Sequence, residues 1–125
     1  MKTSHNIQKV CVIGLGYVGL PTAAIIANQG IKVTGVDVNK DTVETINKGK
    51  IHIVEPDLDI MVQNTVAAGY LHATTSMETA DAFIIAVPTP FKGKNKPNLK
   101  YLKQAVQSIA PKLERGNLVV LESTS

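Results

Sequence analysis

Short apolar runs alternate with longer stretches of helical periodicity along this chain, the rhythm of a parallel α/β sheet. Val10 to Ile13 is a compact, largely β-branched run closed by Gly14 and predicts a buried strand. Tyr17 to Gln29 predicts a helix of small residues, with Pro21 tolerated in its first turn and Gly30 placed to end it. From Ile31 to Val38, Ile31, Val33 and Gly35 share one face and Lys32 and Thr34 the other, which predicts a second strand carrying Asp37 at its tip. Asn39 can cap a helix in which Val43 and Ile46 share a face, and Gly49 supplies its stop. Pro56 is expected in the first turn of a further helix, where Leu58, Met61, Val62 and Thr65 or Val66 keep helical spacing as far as Gly69. Tyr70 to Thr75 predicts a short strand. Ala82 to Val87 is the most apolar run, so it should be a central strand buried on both faces. Leu99, Leu102, Val106, Ile109 and Leu113 make the stripe of an amphipathic helix whose last turn Pro111 should bend or break. Leu118 to Leu121 predicts one more strand, and Glu122-Ser123-Thr124-Ser125 follow at its carboxyl end.

Composition narrows the class without changing this picture. At 125 residues and 44% hydrophobic the chain suits a single core. A charged fraction of 18% and a net charge of +3 argue against disorder or a coiled coil. One cysteine excludes a disulfide scaffold and a multi-cysteine metal site and fits a reducing compartment, so a cytoplasmic location is expected. No window approaches the roughly 18 apolar residues of a membrane span, and MKTSHNIQKV lacks the apolar core of a signal peptide. Neither insertion nor export is expected. Basic residues outnumber acidic ones, but they form no aromatic-interleaved stripe, which argues against a nucleic-acid partner. Lys92, Lys94, Lys96, Lys100, Lys103 and Lys112 lie in an interval free of acidic residues; they read as a solvated loop and helix face, with a field drawing an anionic ligand as the alternative.

The chemistry concentrates after the first strand. Gly14-Leu15-Gly16-Tyr17-Val18-Gly19 is a G-x-G-x-x-G sequence between a strand and a helix. Gly14 permits the tight turn, Gly16 lets the backbone approach a pyrophosphate, and Gly19 lets the helix pack closely on the strand. The amides of Tyr17 and Val18 then lie at a helix N-terminus, where unpaired N–H groups and the dipole attract an anion. Asp37 follows Gly19 by 18 residues and ends the second strand, where its carboxylate can accept the ribose hydroxyls of an adenosine and repel a 2′-phosphate. Motif and context together predict a Rossmann-like, doubly wound parallel sheet in three layers, binding NAD in preference to NADP. Cys11, between Val10 and Val12, should be a buried, inert thiol. His52 and His72 lack partners at ligand or catalytic spacing and read as structural, while Glu55 before Pro56 reads as a helix-start residue.

V-I-G-L-G-Y-V-G-L-P-T, G-V-D-V-N, I-N-K-G, H-I-V-E-P-D-L, A-V-P-T-P and L-E-S-T-S occur in the order seen in the UDP-glucose/GDP-mannose dehydrogenase family, and the chain resembles that family over essentially its whole length. The resemblance implies an NAD-binding Rossmann domain over residues 1–125, cut before a dimerising helix and a substrate domain. It also implies an intact homodimeric enzyme that oxidises the C6 alcohol of a nucleotide sugar to a carboxylate with two NAD. Tyr17, Val18, Asp37, Thr89 and Thr124 match NAD-contacting positions, and Thr89 and Thr124 follow two strand ends; an ordinary loop threonine bonded to its own backbone is the alternative for each. The catalytic thiol adduct with the intermediate aldehyde uses a cysteine and a neighbouring lysine of the later domain, so no catalytic residue is assigned in this chain. His52 to Leu58 and the Pro88 to Gly93 loop look most like members acting on UDP-N-acetyl-D-mannosamine. UDP-glucose or UDP-N-acetylglucosamine remains open as substrate, as does a stand-alone dinucleotide-binding module.

Overall fold

The computed structural model describes residues 7–88, 91–92, 96–97 and 99–122. Its main sheet has five parallel strands: β1 (Lys9–Ile13), β2 (Lys32–Val36), β3 (Leu71–Thr74), β4 (Ala82–Ile85) and β7 (Leu118–Leu121), ordered β3-β2-β1-β4-β7. The crossovers α1 (Gly19–Asn28), α2 (Lys40–Asn47) and α3 (Leu58–Ala67) pack on one face, and α4 (Lys100–Ile109) covers the other. The chain is thus a three-layer Rossmann-type α/β domain. Its strand order reverses between β1 and β4, so a crevice opens at the carboxyl ends of those two strands.

Alternation along each strand divides the core into two layers. Val10, Val12, Val33, Leu71, Ala73 and Ala82 meet Leu20, Ala23, Ala24 and Ala27 of α1, Ile46 of α2, and Leu58 and Val62 of α3. Cys11, Ile13, Val36, Phe83 and Ile85 meet Ala105 and Ile109 of α4. Alanines on the inner face of α1 let that helix lie close to the sheet. Asn39 caps α2, its side-chain oxygen accepting from the Asp41 and Thr42 amides. At the far end of α2, Asn47 pairs with the free edge of β3, donating to the Ala73 carbonyl and accepting from the Ala73 amide, both at 2.8 Å. That amide covers backbone groups which an edge strand otherwise leaves open.

Three expectations need correction: the places of Pro56 and of Glu55, and the buried line of α4. Pro56 does not lie in the first turn of α3: it belongs to a preceding turn closed by the Leu58 amide on the Glu55 carbonyl, and Asp57 takes a left-handed φ of 63° before the helix begins. Glu55 is therefore an exposed turn residue. On α4 the buried line is Ala105 and Ile109 with Leu102, while Leu99, Val106 and Leu113 are 41–51% exposed. Pro111 breaks the α-helical last turn as expected, leaving a 3₁₀ helix at Ala110–Lys112. The lysine-rich loop holds a small antiparallel ladder, β5 (Phe91–Lys92) with β6 (Lys96–Pro97).

The link from β3 to β4 is tied down by Glu78, whose carboxylate accepts from Lys9 Nζ at 3.2 Å and Thr34 Oγ1 at 3.0 Å. Burial works against its charge, but the hydrogen bonds from Lys9 and Thr34, with the positive charge of Lys9, outweigh it and hold the carboxyl below its usual range. A depressed folded-state value stabilises the fold at neutral pH and is lost as pH falls through it. Glu78→Gln should therefore cost about 0.5 kcal/mol at pH 7, a small figure because the pair is solvent-screened. Urea titrations should show that difference closing as pH drops below about 4.5.

Candidate cofactor-binding site

Gly14 leaves β1 with φ +94°, and a Cβ there would sit 2.7 Å from the Ala86 carbonyl oxygen. Only glycine permits both the turn and that approach. The Gly14 amide donates to the Val36 carbonyl at 2.8 Å, and the Ala86 amide to the Ile13 carbonyl at 2.7 Å. The loop is thereby fixed between the carboxyl ends of β2 and β4. Gly19 closes it: a Cβ on Gly19 would fall 1.6 Å from the Gly14 carbonyl oxygen, so the first residue of α1 rests on the turn itself. Around Gly16, by contrast, there is nothing within 4 Å of a Cβ position, and the backbone is open to an approaching group.

Two amides follow Gly16 in the chain with no internal partner. Among the described residues neither the Tyr17 nor the Val18 N–H donates to an acceptor, and α1 has no side-chain cap and no acidic residue in its first turn. Free amides at the positive end of a helix form an anion site. Tyr17 keeps its ring in solvent, 67% exposed.

Asp37, just beyond β2, is bound to this loop. Its Oδ2 accepts from the Leu15 amide at 2.9 Å and its Oδ1 from the Asn39 amide at 2.9 Å. One lone pair of each oxygen is used in this way, which leaves acceptor capacity for hydroxyl donors. The carboxylate thus has a structural part, holding loop and strand together, and it stands at the tip of the second strand as expected. Asn39, rather than Asp37, caps α2.

Gly14, Gly16, Tyr17, Val18, Gly19 and Asp37 are all gathered at the carboxyl ends of β1 and β2. Thr89 and Thr124 lie outside the described residues. No local pattern pointed to Ala86, which walls the loop, or to Thr22 on α1, whose hydroxyl donates to the Glu122 carboxylate just past β7. Cys11 is fully buried in β1 with its Sγ 3.7 Å from the Met77 sulfur, and burial pushes its thiol up to about 11. His52 and His72 are exposed, and among the described residues no three His, Cys, Asp or Glu side chains gather as metal ligands. A shallow groove of about 230 Å³, lined by Ala27, Asn64 and Tyr70, lies at the opposite end of the sheet and has no part in this arrangement. Among the described residues no helix is long and apolar enough to cross a membrane.

Residues 8–125 match the model of the UDP-glucose/GDP-mannose dehydrogenase family, NAD binding domain. The chain is 66% identical over 122 residues to the UDP-N-acetyl-D-mannosamine dehydrogenase of Campylobacter jejuni, covering 97% of this chain and 30% of that protein. It is 57% identical over 120 residues to the NDP-N-acetyl-D-galactosaminuronic acid dehydrogenase of Ralstonia nicotianae, covering 96% and 28%. Among solved structures, the UDP-N-acetyl-mannosamine dehydrogenase of Staphylococcus aureus superposes with a TM-score of 0.90 at 40% identity, covering 93% of this chain and 29% of that one. The chain spans about 30% of the length of these relatives.

Proposed function

The chain belongs to the UDP-glucose/GDP-mannose dehydrogenase family as its NAD-binding domain, and we propose that the protein works as an NAD-dependent nucleotide-sugar 6-dehydrogenase with UDP-N-acetyl-D-mannosamine as substrate. The relatives at 66% and 58% identity named for that sugar support the choice. Two NAD per sugar take the C6 alcohol to the carboxylate. A homodimeric full-length enzyme is proposed on the resemblance, and a cytoplasmic location on the free buried thiol.

One observation carries the assignment of the site: the Asp37 carboxylate is bonded to the loop that presents the Tyr17 and Val18 amides. A carboxylate suited to ribose hydroxyls and an anion site suited to pyrophosphate thereby belong to one connected loop. Gly14 and Gly19 shape the loop, Gly16 leaves room for the pyrophosphate, and Thr89 and Thr124 are proposed to complete the contacts from the ends of β4 and β7. NAD, when bound, supplies the hydride acceptor. The domain's own residues bind and orient it.

Calorimetry with NAD and NADP tests this reading. NAD should bind at least about tenfold tighter, because a 2′-phosphate would meet Asp37. Asp37→Asn should weaken NAD and narrow the gap. Equal affinities in the parent would show that Asp37 does not face the adenosine ribose.

A further inference from the structure

Gly35 stands inside β2 at a position where the buried face of the strand carries side chains on either side. Its ladder partners, Val12 of β1 and Ala73 of β3, both belong to the layer covered by α1, α2 and α3. The φ of Gly35 is not left-handed, so the backbone there does not require glycine. Space does. A Cβ on Gly35 would lie 2.8 and 2.9 Å from the two δ carbons of Leu15 and 3.4 Å from its γ carbon. Leu15 comes between the first two glycines of the loop, is 1% exposed, and fills the room that Gly35 leaves. The amide of this same residue donates to Asp37 Oδ2 at 2.9 Å, and Asp37 lies two positions beyond Gly35 on the chain.

We propose that Leu15 and Gly35 are a positioning pair for the Asp37 carboxylate, and that their fit sets the preference for NAD over NADP. The proposal rests on the reading of Asp37 given above. The side chain of Leu15 locks the loop onto β2, the locked amide holds Oδ2, and the Asn39 amide holds Oδ1, so the carboxylate is fixed from both oxygens. Of these holds, the one on Oδ2 depends on packing. A methyl added at Gly35 must displace the tips of Leu15, and in a close-packed layer a fully buried side chain moves together with its backbone. A Leu15 side chain shortened by its δ carbons leaves a gap over Gly35 and frees the loop instead. Either change loosens the amide that orients Asp37.

The test uses Gly35→Ala, Leu15→Val and the double variant Gly35→Ala/Leu15→Val, in which the added methyl takes the place of the missing δ carbons. Exchange of the Leu15 amide hydrogen is followed by NMR without nucleotide, affinities for NAD and NADP by calorimetry, and unfolding by heat. In each single variant the Leu15 amide should exchange about tenfold faster or more, and the NAD-to-NADP affinity ratio should shrink about three- to tenfold, as for a weakened hydrogen bond to a charged group. The double variant should recover both towards the parent. Leu15→Val removes one buried methylene and should stay folded, so it decides the matter even where Gly35→Ala does not fold. A ratio in Leu15→Val within about twofold of the parent would overturn the proposal, because a lowered midpoint alone marks a packing contact with no hold on selectivity. Losses that add in the double variant would overturn it too, since the two residues would then not act as a pair. A parent that binds NAD and NADP equally overturns the reading of Asp37 itself, whereas a parental preference that both single variants keep overturns only the pair.

Discussion

Gly19→Ala should abolish NAD binding and destabilise the domain by about 3 kcal/mol, the upper end for a side chain forced into a filled space. The added Cβ would meet the Gly14 carbonyl oxygen at 1.6 Å, its carbon at 2.8 Å and the Ala86 Cβ at 3.2 Å. Backbone cannot rotate out of the way as a long side chain does, so α1 must lift. Leu20, Ala23, Ala24 and Ala27 would lift with it, and all four are buried against the sheet. Gly16→Ala provides the contrast. Nothing lies within 4 Å of its Cβ, and its φ is not in the left-handed range, so the unfolding midpoint should hold. NAD affinity should nevertheless fall about ten- to a hundredfold, because the methyl occupies the space left for the pyrophosphate. Thermal unfolding and calorimetry on both variants separate the two roles. Parental NAD affinity in Gly16→Ala would mean that the pyrophosphate does not lie over this glycine.

These two glycines show why this part of the site was legible in the sequence. The loop is local: strand, turn and helix are consecutive, Gly14 and Gly19 answer to contacts within a few residues or at the end of the neighbouring strand, and Gly16 lies in the open between them. Asp37 was legible for a similar reason, since strand periodicity places it at the tip. What it holds was not. Its bond to the Leu15 amide crosses 22 residues and depends on β1 and β2 lying side by side.

Elsewhere the pattern was ambiguous or silent. Along α4, steps of three and four drew the stripe through Leu99, Val106 and Leu113, but a period of 3.6 residues allows an adjacent line. The sheet chose the one through Ala105, a residue too small to signal burial by its size. Pro56 was misplaced because proline suits both the second position of a turn and a first helical turn. Leu118 to Leu121 form the expected strand, yet all four side chains are 39–59% exposed, since exposure of an edge strand depends on neighbours that its own residues do not specify. The Thr22–Glu122 bond spans 100 residues and has no local signature at all.

The chain should not convert UDP-N-acetyl-D-mannosamine to its uronate, even at saturating NAD. The family resemblance implies that acid formation passes through an adduct in which a cysteine sulfur bonds the aldehyde carbon. Only a thiolate attacks efficiently. Cys11 is the one cysteine here; it is fully buried, and its thiol is held at about 11, which leaves on the order of one thiolate in ten thousand at pH 7. A disulfide reagent should accordingly label Cys11 at pH 8 only when urea unfolds the domain. Labelling of the folded domain at the rate of a free thiol would mean that β1 opens in a way its packing does not suggest. NADH formation should be followed for the chain and for the full-length enzyme side by side. Sustained turnover by the chain that survives Cys11→Ser would defeat the covalent argument, and turnover lost in Cys11→Ser would show that this thiol reaches substrate. If the full-length enzyme is silent with this sugar but oxidises UDP-glucose, the thiol argument stands and only the substrate changes, because the choice between hexoses is made by contacts to the sugar and not by the chemistry at C6.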